Sequence, residues 1–134
     1  MAETTASRFI VEGWMTEGPG GRICLLGQRC GRCQVHLWPP VARCKACGSA
    51  ELVSVELGTE AELHAVTVDR TGLLLGRPYL VGQARFPQGP FVHGFVAGDI
   101  DDPPPIGAPV ELVPFEIDGG GERLTTYAFQ VREG

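Results

Sequence analysis

A chain of 134 residues with a net charge of −5 is long enough for one domain, or for a small module joined to one. Its 43% hydrophobic content suits a globular core, yet no apolar run approaches the roughly 18–20 residues that cross a bilayer as a helix. Nineteen glycines and eleven prolines interrupt the chain too often for a helical bundle and favour short strands joined by turns.

Residues 4–17 predict a short helix. Thr4, Thr5 or Ser7 can cap it, Ile10 and Trp14 fall four apart on one face with Phe9 alongside, and Glu12 and Glu17 face water. Gly18-Pro19-Gly20-Gly21 ends it. A helix this short is marginal in water, so Phe9, Ile10 and Trp14 need a covering surface, from the chain's own core or from a partner. The residues from Met1 to Thr5 carry neither the basic nor the apolar region of a secretory signal, and a cytoplasmic location is expected.

The next segment holds the most specific chemistry. Cys30-x2-Cys33 and Cys44-x2-Cys47 are separated by the ten residues from Gln34 to Arg43. A C-x2-C turn aims two thiolates at one ion, and two such turns complete a tetrahedron around Zn2+ with Zn–S near 2.3 Å. Four thiolates leave no open position, so the predicted role of the zinc is structural. A disulfide framework needs an oxidising compartment, and a redox C-x-x-C belongs beside a βαβ pattern that is missing here. Gly48 follows the second pair and suits the left-handed backbone of a metal turn; the first pair has Gly31 inside the turn and Gln34 after it. His36, in the middle of the spacer, reads as a strand histidine rather than a ligand. Cys24 sits among Ile23, Leu25 and Leu26 as a small buried hydrophobe. Val35 to Trp38 reads as a strand ended by Pro39-Pro40. A module of this size has too little core to fold unaided, so metal binding must supply much of its stability.

The remainder alternates as β structure. Glu51–Leu57 and Ala61–Val68 read as one long first strand, bent or bulged at Gly58. Tyr79–Phe86 and Phe91–Ala97 form a hairpin across Pro87-Gln88-Gly89-Pro90, and Asp99–Pro105 is a proline-rich loop. Pro109–Ile117 and Leu124–Val131 form the last hairpin. Five strands, the first long and bent, suit a small oligonucleotide/oligosaccharide-binding (OB) barrel. The predicted fold is therefore mainly β: an N-terminal helical segment (1–21), a zinc ribbon (22–50) and a five-stranded OB-fold barrel (51–134).

Charge divides along the same line. Between Pro19 and Ala50 there are five basic residues, Arg22, Arg29, Arg32, Arg43 and Lys45, and no acidic one; from Glu51 onward there are thirteen acidic residues against five basic. The cationic side chains of the cysteine segment either balance the thiolates or form a docking site for an anion.

Taken in order, Leu26-Gly27-x-x-Cys30-x-x-Cys33, Trp38-Pro39-Pro40, Cys44-x-x-Cys47-Gly48-Ser49, Thr67 on a bent strand, Arg77-Pro78-Tyr79-Leu80-Val81 and Ile106-Gly107-x-Pro109-Val110 resemble the zinc-ribbon and OB-fold proteins that accompany thiolases and other acyl-CoA enzymes. The resemblance covers residues 22–131 and extends to a rubredoxin-like ribbon. Two positions depart from the family pattern: Val41 stands where an arginine usually follows the double proline, and Gln34 where a glycine usually follows the first cysteine pair.

The resemblance implies a non-catalytic zinc-binding subunit of a heteromeric acyl-CoA enzyme. A thiolase-like partner would supply the nucleophile, coenzyme A would be a shared ligand, and benzoylsuccinyl-CoA or acetoacetyl-CoA would be the substrate class. Arginine binds phosphate in a forked geometry, so Arg22, Arg29, Arg32 and Arg43 in the ribbon and Arg77 and Arg85 in the barrel are candidate CoA contacts. Phe86, Phe91 and Phe95 are candidate acyl-pocket residues, with ordinary core packing as their other reading. Catalysis by the chain alone is not expected: Cys24 is the only cysteine outside the metal set, its apolar setting raises a thiol pKa, and His64 and His93 form no nucleophile–base arrangement. The alternative is a nucleic-acid-binding module, since ribbons and OB-folds both bind DNA or RNA. The −8 balance from residue 51 onward (five basic less thirteen acidic) repels a polyanion.

Overall fold

The computed structural model describes residues 8–9, 14–17, 22–73, 75–119 and 121–132. All regular structure among them is β: β1 (Arg8–Phe9), β2 (Met15–Glu17), β3 (Ile23–Cys30), β4 (His36–Leu37), β5 (Leu52–Glu56), β6 (Glu60–Asp69), β7 (Tyr79–Arg85), β8 (Phe91–Val96), β9 (Pro109–Gly119) and β10 (Glu122–Val131). Among the described residues no helix is long and apolar enough to cross a membrane.

The barrel is closed by five strands in the order β10-β8-β7-β6-β9, with β9 returning to pair with β10. Among these five strands every ladder is antiparallel except β8 with β10, which run parallel through Phe95↔Ala128 and Val96↔Phe129. Numbered within the barrel, the order is 1-2-3-5-4-1, the Greek-key order of the OB-fold. Two features close so small a circle. A register shift in β6 between Leu63 and Ala65 bends the strand at His64. Gly82 and Gly94 face each other across β7 and β8; a Cβ on Gly94 would stand 2.6 Å from the ring of Tyr127, so that ring fills the space a side chain would take.

The ribbon is a second sheet around β3, which pairs antiparallel with β2, β4 and β5. The expected long strand is therefore two strands in two sheets. Gly58, at φ 88°, turns the chain out of β5 and into β6. Leu57, just before it, is buried and donates its N–H to Leu25 O at 3.0 Å. A left-handed residue at this point is a sheet change, not a bend within a strand.

The expected helix over 4–17 is also corrected. Its described part is extended: Arg8–Phe9 runs parallel to β10, and Met15–Glu17 pairs with β3; residues 4–7 and 10–13 lie outside the described residues. The free edge of β3 supplies backbone partners, including Leu26 N–H to Trp14 O at 2.7 Å, that a marginal helix would have to replace from within.

One apolar core runs from the ribbon sheet into the barrel, joining Met15, Ile23 and Leu25 to Leu63, Phe86 and Phe129. A second, small cluster consists of Cys30, Leu37 and Cys44 with Val41 and Leu52 against it. Trp38 bridges the two bodies: its ring meets Trp14 at 5.2 Å and Tyr127 at 6.4 Å, both edge-on.

Candidate metal centre

The two cysteine turns lie at the far end of the ribbon from the barrel core. Cys30 is the last residue of β3, and the chain turns over Gly31–Gln34 into β4. Gln34 N–H donates to Cys30 O at 2.9 Å, and Gly48 N–H donates to Cys44 O at 2.9 Å. Both closing residues are left-handed, Gln34 at φ 71° and Gly48 at φ 79°. The first turn thus keeps the usual geometry without the usual glycine.

Two arginines hold these closing residues. Arg29 donates to the side-chain oxygen of Gln34, whose amide in turn reaches Gly31 O. Arg43 donates to Gly48 O at 3.1 Å. Each arginine stands one residue before the first cysteine of its pair, so the two turns repeat the same local device. The spacer is gripped by Gln28, whose side-chain amide accepts from Val41 N–H at 2.8 Å and donates to Val41 O at 3.0 Å. Val41 packs against the cysteine cluster.

The four sulfurs of Cys30, Cys33, Cys44 and Cys47 lie within 4.8 Å of one another. Cys30 to Cys47 and Cys33 to Cys44 are each 3.6 Å apart. A tetrahedron with Zn–S of about 2.3 Å has edges of about 3.8 Å, so the quartet has the dimensions of a zinc site. The inner pair also receives backbone donors: Cys30 Sγ from the N–H of Arg32 and Cys33, both at 3.4 Å, and Cys44 Sγ from Ala46 N–H at 3.3 Å. The Cys33 N–H is the main cause that lowers the Cys30 thiol to about 6. Cys47 moves the other way, to about 11: the Ser49 N–H favours its thiolate, but desolvation and the other three sulfurs outweigh it. Four thiolates cannot share this volume without a cation, and a divalent ion removes the conflict. His36 is outside the quartet, half-buried on β4 opposite Arg29.

The other candidate residues are dispersed. Arg22 is exposed before β3, and Arg32 is exposed inside the first turn. Arg77 and Phe95 share a cavity of about 260 Å3 with Tyr79, Ile100 and Phe115. Phe95 stands between two rings there, 5.3 Å from Tyr79 and 5.0 Å from Phe115. Arg85 lines a separate hollow with Glu60, Glu62 and Arg132. Phe86 is 1% exposed and packs on Phe129. Phe91 is on the outer surface against His64, ring centroids 4.8 Å apart. The three phenylalanines thus do not meet in one pocket. Tyr79 and Phe115 complete this cavity wall, and alternation along a strand does not by itself distinguish a cavity wall from a solvated face. Cys24 is half-buried, and desolvation, followed by the charge of Glu56, raises its thiol pKa.

Residues 24–53 match the family described as ChsH2, rubredoxin-like zinc ribbon domain. No curated protein matches the chain. Among solved structures, a chain of the Ltp2-ChsH2(DUF35) aldolase is similar, at 27% identity and a TM-score of 0.65, over 81% of this chain and 84% of that one. The chain thus carries a ribbon segment, residues 24–53, that matches this zinc-ribbon family, and its likeness to the aldolase chain extends through the barrel.

Proposed function

We propose that this chain is the non-catalytic, zinc-binding subunit of a heteromeric acyl-CoA enzyme of the thiolase or aldolase class. The observation that carries the reading is the pairing of a closed four-cysteine site with a barrel similar to that of the Ltp2-ChsH2(DUF35) aldolase. Zn2+ held by Cys30, Cys33, Cys44 and Cys47 has no open position for substrate, so its contribution is to fold the ribbon. The catalytic subunit brings the reactive groups; Cys24, with its raised pKa, is a poor nucleophile. Cysteines that hold a metal rather than pair as disulfides suit a cytoplasmic protein.

The substrate is a CoA thioester, with benzoylsuccinyl-CoA and acetoacetyl-CoA as the leading acyl groups. Arg29 and Arg43 are engaged in holding the metal turns, which leaves Arg22 and Arg32 as the ribbon's best phosphate contacts and Arg77 and Arg85 as those of the barrel. Nucleic acid is the poorer ligand, because the −8 balance from residue 51 onward repels it.

Co-expression with a thiolase- or aldolase-type reading frame from the same operon tests the reading. A stable complex with one zinc per copy of this chain, and weaker CoA binding by the complex after Arg22→Ala and Arg32→Ala, is the expected result. Failure to associate with any such subunit, or acyl-CoA turnover by this chain alone, refutes it.

A further inference from the structure

The ribbon presents its four sulfurs unevenly. Cys30 and Cys44, the first member of each pair, are 0% and 4% exposed, whereas the second members, Cys33 and Cys47, are open to solvent. Hydrogen bonding differs in the same sense. Cys30 Sγ accepts from two backbone N–H groups, those of Arg32 and Cys33, and Cys44 Sγ from those of Ala46 and Cys47. Cys33 and Cys47 accept one each, from Val35 and Ser49. In a zinc-loaded ribbon all four are thiolates, and each donor that stabilises a thiolate also lowers its nucleophilicity. The outer pair is therefore both the more accessible and the more reactive.

The setting is cationic. Arg32 lies inside the first turn and Lys45 inside the second, both exposed, and no acidic residue stands between Pro19 and Ala50. Glu51, which follows, lies beside Gly31. Exposed sulfur in an electropositive environment is where thiolate oxidation is concentrated. Each outer sulfur also has a buried one within reach: Cys47 is 3.6 Å from Cys30, and Cys33 is 3.6 Å from Cys44. Both contacts join one turn to the other. An S–S bond of about 2.0 Å asks each pair to close by only about 1.6 Å.

We propose that Cys33 and Cys47 are a peroxide-oxidation site, and that oxidation exchanges the metal for two cross-turn disulfides, Cys30–Cys47 and Cys33–Cys44. In each half the outer thiolate attacks one oxygen of hydrogen peroxide. An S–O bond forms, the O–O bond breaks and hydroxide leaves; the sulfur, now a sulfenic acid, is oxidised by two electrons and the peroxide is reduced. The buried thiolate then attacks that sulfur, the S–S bond forms, the S–O bond breaks and a second hydroxide leaves. Two protons from solvent turn both hydroxides into water. When both halves have reacted no thiolate is left to hold a divalent ion. The cross-links tie the same two turns that the metal ties, so the ribbon keeps its shape and a dithiol reductant reverses the change. The proposal needs only the metal quartet and is independent of the acyl-CoA reading.

The zinc-loaded full chain serves for the test. Trypsin cuts after Arg29, Arg32, Arg43 and Lys45, which puts each of the four cysteines on its own peptide. Brief labelling with N-ethylmaleimide should modify Cys33 and Cys47 about tenfold faster than Cys30 and Cys44. Excess hydrogen peroxide should transfer all the zinc to a chromophoric chelator in step with the appearance of the Cys30–Cys47 and Cys33–Cys44 cross-linked peptides. Far-ultraviolet circular dichroism should stay unchanged, and dithiothreitol with added zinc should restore the loaded form. Equal labelling of the four cysteines, disulfides within the turns (Cys30–Cys33 and Cys44–Cys47), sulfinic acid as the end product, or zinc retained under peroxide each overturn the proposal. A chain that binds no zinc overturns it together with the metal assignment.

Discussion

Replacing Trp38 by alanine tests whether ribbon and barrel are one cooperative body. Trp38 follows β4 in the ribbon, yet its ring lies between Trp14 and Tyr127, at 5.2 Å and 6.4 Å. Tyr127 continues the contact inward to Phe129 at 5.9 Å, and Phe129 to Phe86 at 6.2 Å. A fully buried aromatic costs about 3–5 kcal/mol when cut to alanine. Trp38 is only partly buried, so about 2 kcal/mol is a fair share for lost burial. Each edge-on aromatic pair adds at least about 0.5 kcal/mol beyond area, so two such pairs bring the total to at least about 3 kcal/mol. For a chain of this length that lowers the melting temperature by about 10 °C. Urea unfolding of Trp38→Ala, followed by far-ultraviolet circular dichroism, measures the loss. A parallel zinc assay should show the metal retained, because Trp38 is not a ligand. The Trp14→Ala/Trp38→Ala double-mutant cycle should return a coupling of about 1 kcal/mol. A loss below about 1 kcal/mol in Trp38→Ala, or two separate unfolding transitions in the wild type, refutes the bridge.

Two further outcomes follow from side chains with defined partners. Desolvation raises Tyr127 from 10.0 to about 12, and its O–H donates to His93 O at 2.5 Å. A raised folded-state pKa gives stability that is complete below pH 10 and is lost as pH climbs toward 12, about 3 kcal/mol over that window; Tyr127→Phe should flatten that part of the alkaline slope, and an unchanged slope counts against the assignment. Arg43→Ala leaves all four thiolates but frees Gly48 O; zinc transfer to a chromophoric chelator should quicken by up to about tenfold, the worth of one charge-assisted bond. Barrel stability should not change, and equal transfer rates would show that the arginine is dispensable to the turn.

The metal centre was legible because its information is local. C-x2-C spacing places two sulfurs on one turn whatever surrounds it, and the pattern of glycines, prolines and alternating apolar residues marks strands and hairpins in the same short-range way. The five-stranded barrel could be expected from that pattern and the ribbon from its cysteines. Tertiary structure decided everything that depends on which surfaces meet. Ile10 and Trp14 are spaced for a helix, but the open edge of β3 offers Trp14 and Met15 backbone partners that an isolated helix lacks in water. Gly58 reads equally as a bulge or a corner until β5 is seen beside β3 and β6 beside β7. Arg29 and Arg43 look the same as Arg22 and Arg32 along the chain; only the folded turns assign the first two to Gln34 and Gly48. Phe86, Phe91 and Phe95 are alike in composition, but strand register sends one to the core, one to the surface and one to a cavity wall. Spacing within a turn or strand is a short-range property that residue order carries directly, whereas pairing between distant strands is chosen by the combined burial and hydrogen bonding of the whole chain.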